Sequence, residues 1–275
     1  MDTDPLADTV PPRYAIESDE EEDEVNPLHL SRNDNESQVE VKFIGDVPSE
    51  RNLIIATGDA GKVWARGASL GEQTGAVMVN GVQIGLVFSP FWTKSNVIVS
   101  EALSRLPVWA MHKYAQNIID TLKPTSSSLL DSYPVPSYVT NQPTSYDNAP
   151  LRYLSTSATD AFGDQAQQFS PPNLIQSTSA SFLTIFSVAN LMGFLVLLPS
   201  PHIPHPAPKA VSQSNYSQLS QDDVDWPSST LTSAHELLFK VVGEPIKQKW
   251  EPKNAPGTES TPRKRGDVGE GGMYI

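Results

Sequence analysis

The 275-residue sequence contains no cysteine. That excludes a disulfide framework and every thiolate-based metal or redox site, and it fits a reducing compartment. Basic excess is missing too: 19 Lys and Arg stand against 32 Asp and Glu, for a net charge of −13. Without a cationic face to neutralise phosphates, nucleic acid is excluded as the main partner. Long apolar runs are also absent. The most apolar stretch, Phe182 to Leu198, has 17 residues and is interrupted by Thr184, Ser187, Asn190 and Gly193. It falls short of the roughly 18–20 residues that cross a bilayer, and no Lys or Arg flanks it closely to set an orientation. A buried helix followed by a core strand is the expectation there, and no membrane association is expected. The opening MDTDPLADTV has neither a basic nor an apolar signal region, so no secretory signal is expected.

What is present is unevenly spread. Residues 1–40 hold 13 acidic side chains against Arg13 and Arg32, a local charge of −11, which leaves −2 for the other 235 residues. The run Ser18-Asp19-Glu20-Glu21-Glu22-Asp23-Glu24 repels itself and has no apolar residues to offset ordering entropy, so residues 1–38 read as a disordered acidic arm. Ser18, followed by acidic residues, also fits phosphorylation by an acid-directed kinase. Proline is abundant, 24 residues or nearly twice the usual share, and it collects in loops and tail.

Between residues 39 and 250 the pattern alternates strands and helices. Val39, Val41 and Phe43 alternate with polar residues, and Leu53-Ile54-Ile55-Ala56 is a short buried run. Asn80-Gly81 between Val77-Met78-Val79 and Val82 to Phe88 specifies a two-residue type I′ hairpin, because both central positions need positive φ. Asn96 to Ser100 adds a strand. Pro107 opens a helix whose Val108, Met111, Ala115, Ile118, Ile119 and Leu122 share a face, and Pro124 stops it. Leu129-Leu130, Tyr138-Val139 and Leu151 to Leu154 are short strand candidates. A second helix is expected over Thr178 to Ala189, a strand over Gly193 to Leu198, and a last helix over Thr232 to Val242, with Ser233 and Glu236 as its capping box. Loops near 140–150 and 199–228 read as irregular. The sum is an α/β fold, a mixed sheet with helices packed on its faces, between the acidic arm and a flexible tail over 251–275.

Several motifs touch on catalysis or metal binding. Gly67-Ala68-Ser69-Leu70-Gly71 matches the G-x-S-x-G nucleophile elbow, and Asp222 or Asp223 with His235 completes the order serine, acid, histidine. An α/β serine hydrolase using Ser69 is therefore one alternative, although Glu72 to Gly75 leads into the hairpin rather than the helix that an elbow needs. Gly58-Asp59-Ala60-Gly61-Lys62 lacks both the spacing and the hydroxyl of a phosphate loop and reads as a turn between strands. His202 and His205 have no carboxylate or cysteine nearby to complete a metal site. No motif calls for a cofactor. A generic acidic adaptor acting through residues 1–40 is the other alternative.

The chain closes Gly271-Gly272-Met273-Tyr274-Ile275 after about twenty residues rich in Pro, Gly and charge. A carboxylate beside an apolar-aromatic pair suits capture in another protein's pocket, a cation holding the carboxylate. Arg263-Lys264-Arg265, in the same tail, reads as solubility rather than a nuclear-import signal.

Met273-Tyr274-Ile275 is similar to the hydrophobic-tyrosine-any-residue tails of proteasome activators and assembly chaperones. With Pro171-Pro172-Asn173-Leu174-Ile175 leading into an apolar helix, Leu195-Val196-Leu197-Leu198-Pro199-Ser200, a variable loop and a final helix, the chain resembles the proteasome assembly chaperone family in its fungal type-1 form. The resemblance spans about residues 40–275. It implies a non-enzymatic chaperone of core-particle assembly, acting as a heterodimer with a related second chaperone on the α-ring. Proteasome α-subunits would be its partners, and Met273, Tyr274 and Ile275 would bind a pocket between them. It implies a cytoplasmic location, with the nucleus left open.

Overall fold

Short apolar runs become strands here because glycine, proline and polar residues interrupt them every few positions. The computed structural model describes residues 39–141, 144–157, 162–213 and 224–252. The acidic arm with Ser18, residues Asp222 and Asp223, and the tail with Met273, Tyr274 and Ile275 lie outside the described residues.

The described residues form a mixed nine-stranded sheet and four α-helices. In chain order these are β1 (Val41–Gly45), β2 (Leu53–Thr57), α1 (Gly58–Gly67), β3 (Gln73–Val79), β4 (Val82–Phe88), β5 (Asn96–Ser100), α2 (Val108–Leu122), β6 (Ser127–Pro134), β7 (Arg152–Ser155), β8 (Gln167–Gln168), α3 (Thr178–Val188), β9 (Gly193–Ser200) and α4 (Ser228–Val241). The strand order is β1-β3-β4-β5-β2-β6-β9-β7-β8. The central strands β5, β2, β6 and β9 are parallel, whereas β1, β3 and β4 join them as an antiparallel meander and β7 is antiparallel to β9. The β3–β4 hairpin turns on Asn80 (φ 49°) and Gly81 (φ 79°), the pair of positive φ values that Asn-Gly predicts.

Central strands read as near-continuous apolar runs because both of their faces are covered. On one face α1 packs on β2, β5 and β6, and α4 packs on β6 and β9. Ile54, Ala56, Val97, Val99, Leu130, Phe194, Val196 and Leu198 meet Trp64, Leu231, Leu238 and Phe239 there. On the other face α2 packs on β1, β3 and α3, and α3 packs on β6 and β9. Tyr114 of α2 meets Phe182 of α3 edge-on at 6.3 Å between ring centres.

The structure corrects three element assignments. Gly58–Lys62 is not a turn between strands but the start of α1, which buries Ala60, Gly61 and Trp64 against the sheet. Tyr138-Val139 forms no strand, because its backbone is taken by contacts to Asn173. The last helix begins at Ser228 rather than Thr232, so Ser233 lies inside it and makes no capping box. The proline-rich segment after β9 is irregular, but it is held: Arg105 donates to the carbonyls of His205 and Pro206, Trp109 to Lys209 and Ser104 to Ser212. Phe182 to Leu198 is, as expected, a helix followed by a core strand.

Candidate functional site

In a doubly wound sheet, ligands bind beyond the carboxyl ends of parallel strands, where successive connections leave to opposite faces. Here α1 leaves β2 to one face and α2 leaves β5 to the other, which puts that point between Thr57 and Ser100. The ends of β2 and β5 and the middle of β6 bring Thr57, Ser100, Glu101 and Asp131 together, and the start of α3 closes on them with Ser177, Thr178 and Ser179.

Every polar atom in this cluster has a protein partner close by. Thr178 Oγ1 donates to Glu101 Oε1, and the Leu106 amide donates to Oε2 at 2.8 Å. Ser177 Oγ donates to Asp131 Oδ2 at 2.6 Å, and the Ser132 amide donates to Oδ1 at 2.7 Å. Ser179 Oγ reaches Thr57 Oγ1 at 3.4 Å, and Ser100 Oγ reaches the Tyr114 hydroxyl at 3.0 Å. Glu101 takes φ 56°, a left-handed conformation unusual for a side chain of its size.

Burial dominates the electrostatics. It pushes the Glu101 and Asp131 carboxyls above their ordinary range, against the hydroxyl and amide donors that favour the charged forms. The Asp131 carboxylate also disfavours charge on Glu101, and Arg105 pulls Glu101 the other way. Burial raises the Tyr114 phenol as well. Thr178, Ser179 and Ser100 are fully buried. The usual ligand position of this architecture is thus filled by the protein's own side chains.

Among the described residues, Ser69 and His235 do not form a hydrolase pair, and the acid candidates Asp222 and Asp223 lie outside them. Ser69 follows the end of α1 at φ 48°, so it is not on a strand-to-helix elbow. His235 lies in the interior with both ring nitrogens engaged: Nδ1 accepts from Trp64 Nε1 at 3.2 Å, and Nε2 donates to the Gln248 carbonyl at 2.9 Å. Trp92, whose Nε1 donates to the Ser69 carbonyl, and Phe239 pack against the same imidazole. Burial lowers the His235 pKa, and the Gln248 carbonyl only partly offsets it. This histidine is a core spacer between α1 and α4. His202 and His205 are exposed, and no group of three or more His, Asp or Glu side chains placed to hold a metal occurs among the described residues. No helix among the described residues is long and apolar enough to cross a membrane.

Two surface features remain. An open groove of about 400 Å3 beside α1 and β4 is lined by Leu86, Phe88, Leu103, Lys62 and Arg66, and Lys62 is paired with Asp59 at 3.0 Å. Close by, the chain crosses the end of α1: Trp250 Nε1 donates to the Trp64 carbonyl at 2.8 Å and the Glu251 amide to that of Gly67 at 3.1 Å. Gly67 permits the crossing, because a Cβ there would stand 2.4 Å from the Trp250 ring. Sequence reasoning missed Glu101 and Asp131. The available signal was an acid directly at or after an apolar strand run, in Val97 to Glu101 and in Leu129-Leu130-Asp131.

No protein-family profile matches the chain, and no curated protein matches it. Among solved structures the chain is similar to Pyrococcus furiosus PbaA, an archaeal homolog of proteasome-assembly chaperone, with a TM-score of 0.51, 10% identity, and 74% of this chain and 82% of that one covered. It is also similar to Pyrococcus furiosus PbaB, an archaeal proteasome activator, with a TM-score of 0.49, 10% identity, and 75% and 91% covered. At this identity the likeness to PbaA is one of fold.

Proposed function

We propose that this protein is a non-enzymatic chaperone of proteasome core-particle assembly, of the fungal type-1 kind. It acts as a heterodimer with a related second chaperone on the outer face of the α-ring, in the cytoplasm, with the nucleus open as a second site. The observation that carries this reading is the fold shared with PbaA in a chain that closes on Met273-Tyr274-Ile275. The filled strand-end cluster supports a role outside catalysis. In this reading the tail inserts Met273, Tyr274 and Ile275 into a pocket between α-subunits.

Burying a tyrosine and an apolar side chain contributes about 3–5 kcal/mol by area before ordering costs. A charge-assisted bond to the Ile275 carboxylate adds about 1.5–3 kcal/mol. Such a tail binds weakly alone and gains from effective concentration once the body and a partner's tail have docked. A linker of about 20 residues has an r.m.s. span of about 25 Å, enough to reach a neighbouring pocket.

Native pull-down of the full chain with mass spectrometry tests the reading. The expected catch is proteasome α-subunits plus one related chaperone, and recovery of neither overturns it. Deleting Met273 to Ile275, changing Tyr274→Ala, or adding residues after Ile275 should each weaken α-subunit recovery about tenfold, as expected for losing about 1.4 kcal/mol or more, without altering thermal unfolding. Unchanged recovery with all three variants removes the tail from the mechanism.

A further inference from the structure

A buried cation lies on the α3 face of the sheet without an acid to match it. Arg152 opens β7 and is 8% exposed. Its row in the sheet runs through Leu197 to Asp131, so its side chain stands on the face that carries α3. Aromatic rings close around it. The guanidinium carbon lies 3.9 Å from the centre of the Tyr138 ring and 5.5 Å from that of Tyr133, and Phe169 packs edge-on against both rings. Among the described residues no carboxylate pairs with Arg152. Asp131 is two strands away, about 10 Å, and its oxygens are taken by Ser177 and the Ser132 amide.

The guanidinium reaches two neutral oxygens. Its Nη1 donates to the Gln168 carbonyl at 3.3 Å. The Tyr133 hydroxyl stands beside it and gives its own proton to the Pro150 carbonyl at 2.8 Å. Nε is buried with no acceptor. A buried charge without a counter-ion forfeits hydration, which ring faces and neutral oxygens restore only in part. With Nη1 engaged, the edge left is that of Nε and Nη2, whose parallel N–H bonds match the two oxygens of a carboxylate. Beside this edge the surface is apolar. Val139, next to Tyr138, is 59% exposed and Leu174 is 79% exposed. Asn173 ties their two segments together by bonding both the amide and the carbonyl of Val139.

We propose that Arg152 anchors a binding site for a carboxylate carried by an apolar peptide segment of a partner protein. The acid pairs with the Nε–Nη2 edge, and its apolar neighbours cover Val139 and Leu174. Tyr138 lies on the guanidinium from an irregular segment, so the acid reaches the edge as that ring shifts aside. An inorganic anion would leave Val139 and Leu174 in water, and a neutral amide would leave the cation unmatched. The site does not draw on the α-ring reading and stands or falls apart from it.

Titrating the isotope-labelled full chain with the peptide acetyl-Val-Leu-Glu-Leu-Val-amide tests the site. The readout is the Arg152 Nε–H signal, identified by its loss in Arg152→Met. The expected result is a saturable shift, with the Gln version of the peptide binding at least about tenfold more weakly because it lacks the charge and the second oxygen. Acetyl-Val-Leu-Leu with a free carboxyl end separates the two sources of a carboxylate: tighter binding than the Glu peptide assigns the site to a chain terminus, and weaker binding assigns it to an acidic side chain. Arg152→Lys keeps the charge but not the paired donors and should weaken the Glu peptide about fivefold. Arg152→Met should erase the preference for Glu over Gln. In the native chain, equal shifts from the Glu and Gln peptides, or no shift from any of the three, overturn the proposal without recourse to a variant. A preference for Glu that survives in Arg152→Met overturns it as well.

Discussion

Replacing Glu244 with alanine removes the side chain that ties the end of α4 to the turn before β5 and to the start of β2. Its carboxylate accepts from Ser95 Oγ at 2.5 Å, from the Lys94 amide at 3.1 Å, from Asn52 Nδ2 at 3.3 Å and from Thr93 Oγ1. Burial alone would raise its pKa, but the Ser95, Thr93, Lys94 and Asn52 donors outweigh it, and the net shift is downward. A hydrogen bond to a charged group contributes about 1.5–3 kcal/mol in a buried site. Four bonds on one half-exposed carboxylate are not additive, and water replaces part of what is lost. The buried Thr93 and Ser95 hydroxyls lose that acceptor, so the expected cost of Glu244→Ala is about 2–3 kcal/mol, or about 4–12 °C in Tm for a domain of this size. Glu244→Gln keeps the length and one acceptor and should recover about half of that. Because the folded pKa lies below the ordinary 4.5, this stabilisation is present above that value and is lost as pH falls through the lower folded one. Urea unfolding from pH 7.5 down to pH 4 should therefore show a steeper loss for the native chain than for Glu244→Gln. A Glu244→Ala protein within about 0.5 kcal/mol of the native chain, with a parallel pH profile, would refute the account.

Two further outcomes follow from the interior. Gly67→Ala places a Cβ 2.4 Å from the Trp250 ring and 2.6 Å from the Glu251 carbonyl oxygen. It should cost about 1–3 kcal/mol and expose Trp250, read as a red shift in tryptophan emission; unchanged emission and stability would mean that the crossing tolerates the extra atom. Asp131→Asn should become progressively more stable relative to the native chain as pH rises above the ordinary aspartate value of 3.8, because the raised folded pKa makes ionisation of Asp131 destabilising. Parallel pH profiles for the two proteins would show that the carboxyl does not titrate differently on folding.

Local physics made part of this fold legible. Asn80-Gly81 needs two positive φ values, and no distant residue has to cooperate for that turn to form. The face of α2 was legible from Met111, Ala115, Ile118, Ile119 and Leu122, all of which are buried, whereas Val108, read onto the same face, is exposed at the helix start. α1 was hidden because three glycines lie within Gly58–Gly67, and glycine is a poor helix former. The helix is instead held by packing Ala60 and Trp64 onto the sheet, a tertiary effect that propensity does not contain. The polar cluster was harder still. Asp131 finds its partner Ser177 46 residues later, and Glu101 finds Thr178 77 residues later, so nothing in either neighbourhood marks them.

That cluster also bears on where function can reside. The strand ends that would bind a ligand in many α/β proteins are here occupied by two carboxyls and six hydroxyls, three of them from the start of α3, bonded to one another. Admitting a substrate would mean withdrawing α3 from β6 and β9 and exposing Phe182 and Phe186, both fully buried. Fully burying a phenylalanine stabilises by about 1.5–3 kcal/mol, so opening costs about 3–6 kcal/mol from these two rings alone, comparable with the whole stability of many domains. Chemistry at this point is therefore closed off by packing, because the side chains that seal it belong to the core that holds α3 on the sheet.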